Sequence, residues 1–185
     1  MLDLPIDKKY NIIYADPPWQ YKSRSSPNQI KKYSTIKADD YYELMTMEDI
    51  YNLPVQDISS KNCYLFLWVT FPLLDKAILT FKRWGFVYKT IGFNWVKTNK
   101  NDKKPFFGVG YYTKSNAEIC LIGVRGKVKP QSNFVSSIII EPRNNHSKKP
   151  DCVRDKIVEL CGDLPRIELF ARQRHEGWDA WGNEV

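Results

Sequence analysis

Short apolar runs recur along the chain and are separated by polar or helical stretches. Residues 10–15 (YNIIYA) are apolar, rich in β-branched and aromatic types, and end at a pair of prolines. Residues 63–69 (CYLFLWV) form a continuous apolar run, which is typical of a strand buried on both faces. Further strands are predicted over residues 86–96, 117–124, 136–141 and 166–170. An irregular tail is predicted after the last strand.

Segments with helix-forming patterns lie between several of these predicted strands. The patterns predict helices over residues 46–53, 72–84 and 149–161. Thr46 suits an N-cap, Pro72 suits a first helical turn, and Gly85 and Gly162 suit the two later helix ends. The alternation predicts an α/β domain with a mostly parallel sheet and helices on both faces. Ligands of such sheets bind beyond the carboxyl ends of the strands.

Composition limits the class of protein. With 185 residues, 43% hydrophobic and 26% charged, the chain fits a single folded domain over residues 1–185 and excludes a disordered one. No apolar run approaches the ~18 residues of a membrane span, and no signal-peptide pattern is visible, so a cytoplasmic protein with no membrane partner is expected. The four cysteines lack CxxC spacing, which favours reduced structural thiols and no metal site.

Positive charge is concentrated in one part of the chain. The net charge is +7, yet residues 82–129 alone hold 11 Lys and Arg against 2 Asp and Glu, and the flanks are nearly neutral. This asymmetry predicts a polyanionic partner. Loops over residues 20–40 and 98–116 are the candidate nucleic-acid-binding segments. The candidate phosphate contacts are Lys97, Lys100, Lys103, Lys104 and Lys114, and the candidate stacking residues are Phe106, Phe107, Tyr111 and Tyr112.

The candidate chemistry lies just after the first strand, at Asp16, Pro17, Pro18 and Trp19. Two prolines in series make a rigid corner, and Pro17 also forces the residue before it into extended geometry. The corner offers a carboxylate, a Pro17 carbonyl with no competing turn bond, and an aromatic plate. These groups suit a flat heterocycle whose exocyclic amine donates both hydrogens. The alternative interpretation is a plain turn.

The chain resembles the adenine-N6 methyltransferases that include the catalytic subunit of the messenger-RNA adenosine methylation enzyme. The signature of that family is this Asp16-Pro17-Pro18-Trp19 tetrapeptide. The similarity extends in the same order through residues 65–70, 84–86, 95–98, Glu118, 123–126, 146–151, 167–172 and 182–184. A minimal chain of this kind is more similar to the prokaryotic and phage members.

The resemblance implies a Rossmann-like S-adenosylmethionine-dependent methyltransferase with permuted motif order. By resemblance, Lys149 meets the methionyl carboxylate, Phe170 and Arg172 flank the ribose and methionyl parts, and Asn183 and Glu184 hold ribose hydroxyls; Asp16 also belongs to the cofactor site. Without the resemblance, a solvated Lys149, a core Phe170 and an Arg172–Glu168 pair are the simpler interpretations.

The expected activity is methylation of adenine N6 in DNA, with the base flipped out of the duplex. Two alternatives stay open: an RNA adenosine methyltransferase, and a non-catalytic nucleic-acid-binding subunit. No G-x-G-x-x-G occurs, which disfavours a dinucleotide oxidoreductase. The residues after Phe170 depart from the messenger-RNA enzyme, so its cofactor pocket cannot be copied position by position. Eukaryotic members of the family carry an acidic adenine-binding segment before the first strand, where this sequence has only residues 1–9, so the adenine pocket of the cofactor stays unassigned. Monomer and homodimer are both compatible with the sequence.

Overall fold

The computed structural model describes residues 4–19, 45–101, 103–108, 110, 112–143 and 148–185. The strands are β1 (Tyr10–Ala15), β2 (Ser59–Val69), β3 (Val87–Thr98), β4 (Ala117–Arg125), β5 (Ile138–Pro142), β6 (Arg166–Leu169) and β7 (Asp179–Trp181). The α-helices are α1 (Met47–Asn52), α2 (Val55–Ile58), α3 (Leu74–Arg83) and α4 (Cys152–Cys161), and a 3-10 turn over Phe71–Leu73 precedes α3. The candidate segment 20–40 lies outside the described residues.

The strands form one seven-stranded sheet in the order β5-β3-β4-β2-β1-β6-β7. β4 runs antiparallel to both of its neighbours, β2 and β3, and the other pairings are parallel. The carboxyl ends of six strands therefore meet the amino end of β4 along one side of the sheet, which we term the carboxyl edge. The opposite side is the amino edge. The predicted mostly parallel α/β fold is confirmed.

Each face of the sheet has its own hydrophobic core. On one face, residues of α1, α2 and α3 such as Ile50, Ile58 and Phe81 pack on the sheet. On the other face, α4 contributes Val153 and Ile157 to a core rich in aromatic side chains. The predicted arrangement of helices on both faces is therefore confirmed, and the apolar strands between them are buried as expected.

Two local features differ from what the sequence pattern suggests. Leu74 and Ile78 share the helical spacing of Ala77 and Phe81, yet they are 39% and 38% exposed, and Thr80 is buried. The helix packs on the sheet through Ala77 and Phe81. The tail predicted as irregular contains β7, a three-residue strand whose Asp-Ala-Trp sequence carries no strand signal of its own.

The sequence also predicts reduced cysteines, no metal site and no membrane-spanning segment. All four cysteines are free thiols, and three of them are buried. Across the described ranges, no cluster of three or more His, Cys, Asp or Glu side chains is arranged to hold a metal. No helix in this part of the chain is long and apolar enough to cross a membrane.

Candidate active site

Asp16 emerges at a topological switch point of the sheet. Ala15, the last residue of β1, pairs with Leu67 of β2 on one side and Leu169 of β6 on the other. The chain passes from β1 to β2 in one direction, whereas β6 is followed by β7 in the other direction. A crevice at such a reversal is the usual ligand site of an open α/β sheet. Asp16 therefore lies where this rule places a ligand.

Backbone and side-chain hydrogen bonds fix the corner that follows β1. The indole Nε1 of Trp19 donates to the main-chain oxygen of Trp68, near the end of β2, at 2.9 Å. The main-chain N–H of Trp19 donates to the Pro17 carbonyl at 2.8 Å. The expectation that the Pro17 carbonyl has no competing turn bond is thus wrong, because the double-proline corner closes a tight turn. A carbonyl oxygen has a second lone pair, which can still accept from a ligand.

Four charged side chains alternate in sign beside this corner: Asp16, Lys149, Glu118 and Lys97, hereafter the ion-pair cluster. The Lys149 ammonium lies 2.6 Å from Asp16 Oδ2 and 3.3 Å from Glu118 Oε2. Lys97 pairs with the other oxygen of Glu118. The side chains of Lys149 and Asp16 are only 12% and 25% exposed. The cluster is therefore largely withdrawn from water and internally neutral.

Burial and neighbouring charges set the protonation states in the cluster. Burial raises the pKa of Asp16, and Lys149 only partly offsets that effect. Burial would also raise the pKa of Glu118, but Lys149 and Lys97 together bring it below its usual value. Burial disfavours the Lys149 ammonium, yet Asp16 and Glu118 raise its pKa. Asp16 is therefore the carboxylate in the cluster that takes up a proton most readily.

The loops after β6 and β7 bring together most of the residues predicted to bind the cofactor. Phe170 follows β6 with a φ of 63° and sets its ring edge-on to Trp181 at 5.4 Å between centroids. The Arg172 Nε atom lies 3.8 Å from Glu184 Oε1. Asn183 and Glu184 are exposed. A Cβ on Gly182 would come within 2.3 Å of the Ala171 carbonyl, so the two loops touch only because residue 182 is glycine.

Two of the simpler interpretations are wrong. Lys149 is not a solvated side chain. Glu168 pairs with Arg154 through two hydrogen bonds. Arg154 Nε donates to Glu168 Oε2 at 2.7 Å, and Arg154 Nη2 donates to Glu168 Oε1 at 2.8 Å. Arg172 faces Glu184 instead. Phe170 packs against the core on the face of the sheet that carries α1, α2 and α3, which agrees with its simpler interpretation as a core residue.

Glu118 is a site residue that the sequence pattern did not predict. It lies within the region of family similarity, and in the structure it joins Lys149 to Lys97. The available signal was a glutamate at the second position of β4, a strand with no other charged residue before Arg125 at its end. Its significance depends on the antiparallel course of β4, which brings the start of that strand to the carboxyl edge.

The loop over residues 98–116 supplies exposed basic and aromatic side chains at the same edge. Lys100, Lys103, Lys104 and Lys114 are exposed, and Tyr112 is 93% exposed. Lys97 departs from its predicted role as an exposed phosphate contact. It is the penultimate residue of β3, and its ammonium turns inward to Glu118. Tyr111 lies outside the described residues.

The fold and the site together define an α/β domain with a largely buried carboxylate at the switch point of its sheet. The MT-A70 family profile matches residues 10–184, and the chain belongs to this family. The resemblance to adenine-N6 methyltransferases is therefore confirmed, and the enzyme is an adenine methyltransferase by class.

Three relatives differ in the fraction of their own length that this chain matches. It is 34% identical to the type II methyltransferase M.MunI of Mycoplasma sp, over 96% of this chain and 78% of the relative. It is 29% identical to the human N(6)-adenosine-methyltransferase catalytic subunit METTL3, over 100% of this chain and 30% of that protein. The human N(6)-adenine-specific methyltransferase METTL4 is 27% identical, over 96% of this chain and 38% of the relative. The chain thus spans less than two fifths of each of these two human proteins.

Proposed function

We propose that this protein transfers a methyl group from S-adenosyl-L-methionine to N6 of adenine in DNA. The observation that carries the proposal is the Asp16–Trp19 corner, held at the switch point of the sheet beside the Asp16–Lys149 ion pair. This geometry supplies a carboxylate, a carbonyl and an aromatic wall at one rigid place. A turn with no chemical role does not need a largely buried carboxylate there.

The residues present fit the chemistry of the proposed cofactor. Its methionyl part carries a carboxylate and an ammonium, which match the Lys149 ammonium and the Asp16 carboxylate. Its ribose hydroxyls match the exposed Asn183 and Glu184 beside Phe170 and Arg172. When bound, S-adenosylmethionine supplies an electrophilic methyl group on a sulfonium. The adenine pocket of the cofactor stays without an assignment.

The chain's own contribution is positioning and electrostatics. Asp16 and the Pro17 carbonyl accept the two hydrogens of the adenine amine, so that its lone pair is less conjugated with the ring and can face an incoming electrophile. Trp19 forms one wall, oriented by its bond to the Trp68 carbonyl. Methyl transfer leaves positive charge on the amine nitrogen, and the Asp16 carboxylate stabilises that charge and takes the departing proton. The raised pKa of Asp16 favours this last step.

DNA is proposed as the substrate because of the similarity to a type II methyltransferase and the exposed lysines at the carboxyl edge. A target adenine in a duplex must leave the stack at a cost of a few kcal/mol. Lys100, Lys103, Lys104 and Lys114 can recover that cost through phosphate contacts, and Tyr112 through stacking. The similarity to METTL3 makes RNA the alternative substrate.

The decisive experiment incubates the purified protein with tritiated S-adenosylmethionine and sequence-matched DNA and RNA oligonucleotides. Labelling of adenine N6 in DNA supports the proposal, whereas labelling of RNA alone replaces the substrate. Calorimetric titration with S-adenosylmethionine tests the remaining alternative. No binding, together with no labelling, would indicate a non-catalytic subunit.

The basic loop gives a prediction about salt dependence. The double substitution of Lys103 and Lys104 by alanine should weaken DNA binding and reduce the slope of log K against log salt by about two units, because each lost phosphate contact removes about 0.9. Fluorescence anisotropy between low and physiological salt measures the slope. Lys76→Ala, which removes an exposed lysine from α3, is the control. An unchanged slope would mean that the DNA lies elsewhere.

Glu118 gives a prediction about pH dependence. Its negative charge raises the pKa of Asp16, and it shares Lys149 with that residue. Glu118→Gln should therefore lower the pKa of Asp16 and move the acid limb of the kcat profile to lower pH. Glu159→Gln on α4 is the matched control, since Glu159 is exposed on the helix surface. If the acid limb stays where it is in the wild type, Asp16 is not the titrating group.

A further inference from the structure

The basic segment 82–129 does not form one surface. β3 runs from the amino edge to the carboxyl edge, and β4 returns along it. The segment is thus a hairpin whose middle lies at the carboxyl edge and whose two ends lie at the amino edge. Lys100, Lys103, Lys104 and Lys114 belong to the middle. The ends carry a second group of cations, namely Lys82, Arg83, Lys89, Arg125, Lys127 and Lys129.

Contacts hold this second group together. The Arg125 guanidinium donates to the Gln56 main-chain oxygen at 3.0 Å, and the Gln56 amide donates to the Arg83 carbonyl at 3.1 Å. The ends of β4 and α3 are thereby joined through α2. We term the cations of this region the amino-edge basic surface: the partly exposed Arg125 and the exposed Lys61, Lys82, Arg83, Lys89, Lys127 and Lys129.

The start of β2 completes this surface. The Lys127 main-chain N–H donates to Asn62 Oδ1 at 2.8 Å. A Cβ on Gly126 would come within 2.2 Å of the Lys61 carbonyl, so the turn after β4 lies directly against the start of β2. This close approach brings Lys61 next to Lys127.

The charges of the amino-edge basic surface are not neutralised by the described part of the chain. Among the described residues, none of its seven cations forms an ion pair. The surface is also far from the catalytic corner. β2 spans 11 residues between the two edges, which corresponds to about 33 Å at ~3.3 Å per residue.

We propose that the amino-edge basic surface binds the phosphate backbone of nucleic acid at a distance from the target base. Clustered, unneutralised lysines release counterions when they meet phosphates, so such a surface gives sequence-independent affinity. The inference rests on the proposed function, in which the substrate is a nucleic acid. The phosphates come either from the remote part of the substrate duplex or from a separate duplex, and a duplex length series distinguishes these sources.

The test compares Lys127→Ala/Lys129→Ala with a control of equal charge change, Lys76→Ala/Lys156→Ala. Binding is measured on duplexes of about 10 and about 40 base pairs with a central target adenine. At ~3.4 Å per base pair the short duplex reaches about 17 Å to either side, too little to extend from one edge to the other. Thermal unfolding confirms that both variants are folded. Methylation by the wild type reports on the proposed function independently.

The wild type should bind the long duplex more tightly than the short one. Lys127→Ala/Lys129→Ala should lose about tenfold in affinity for the long duplex, and about two units of salt slope, while the control keeps both. If the wild type binds a second equivalent of the short duplex at low salt and Lys127→Ala/Lys129→Ala does not, the result also supports the proposal. The ligand of the surface is then a separate duplex. Equal affinity, slope and stoichiometry in the two variants would overturn it, even if the wild type methylates DNA.

Discussion

Asp16→Ala is expected to lower kcat for adenine methylation by about 10²–10³-fold, the usual effect of removing a preorganised group aimed at developing charge. The substitution removes the acceptor for one amine hydrogen and the anion that balances positive charge on the nitrogen. Tritium transfer under single-turnover conditions measures the effect, because it separates chemistry from product release. Asp16→Asn keeps an acceptor oxygen without the charge, and its rate should lie between those of the wild type and the alanine variant.

The control for this experiment is Asp163→Ala. Asp163 is an exposed carboxylate that pairs with Arg166, away from the carboxyl edge. Its substitution should leave kcat near the wild-type value. If Asp16→Ala labels adenine as fast as the wild type, the amine is held by other groups and the proposed mechanism fails. Melting curves of each variant separate a loss of chemistry from a loss of fold.

The parts of the structure that were predicted correctly depend on local sequence. The apolar run over 63–69 is buried in β2, and Thr46 caps α1 through a reciprocal pair of bonds with Asp49. Gly162 ends α4 with a φ of 93°, as a glycine stop should. The Asp16–Trp19 corner lies at the carboxyl end of β1, where two prolines halt the strand. Each of these features is decided within a few residues.

The parts that were missed depend on topology. Lys97 and Lys103 lie six positions apart in one basic segment, yet the first pairs with Glu118 and is only 17% exposed, whereas the second is exposed. Which lysine turns inward depends on the register between β3 and β4, where Trp95 pairs with Glu118. The division of the basic segment between the two edges has the same origin. Charge counted along a chain cannot reveal that the segment folds back on itself.

Lys149→Met is expected to affect both stability and cofactor binding, because it leaves two carboxylates facing each other without the cation between them. Removing one partner of a buried ion pair costs about 3 kcal/mol or more. The methionine keeps most of the side-chain volume, so the loss reports on charge. Calorimetric titration should show S-adenosylmethionine binding weakened by at least about tenfold, since the cation for its carboxylate is gone.

The stability loss should depend on pH with a defined sign. In the wild type, Lys149 opposes the effect of burial on the pKa of Asp16. Without Lys149 this pKa rises further above the unfolded value of about 3.9. A raised carboxyl pKa in the folded state means that the unfolded state loses its proton first, so the free energy of unfolding falls as pH rises from about 4 through the folded pKa. The variant should therefore be closest to wild-type stability near pH 4 and furthest from it at neutral pH.

The double variant Lys149→Met/Asp16→Asn provides the matched control, since it removes both charges of the 2.6 Å pair. It should regain stability at neutral pH relative to Lys149→Met and lose most of the pH dependence, while cofactor binding stays weak. Chemical denaturation at several pH values gives the free energies of unfolding for this cycle. A destabilisation that is the same at every pH would mean that Lys149 contributes through packing, and that the cluster is not electrostatically coupled.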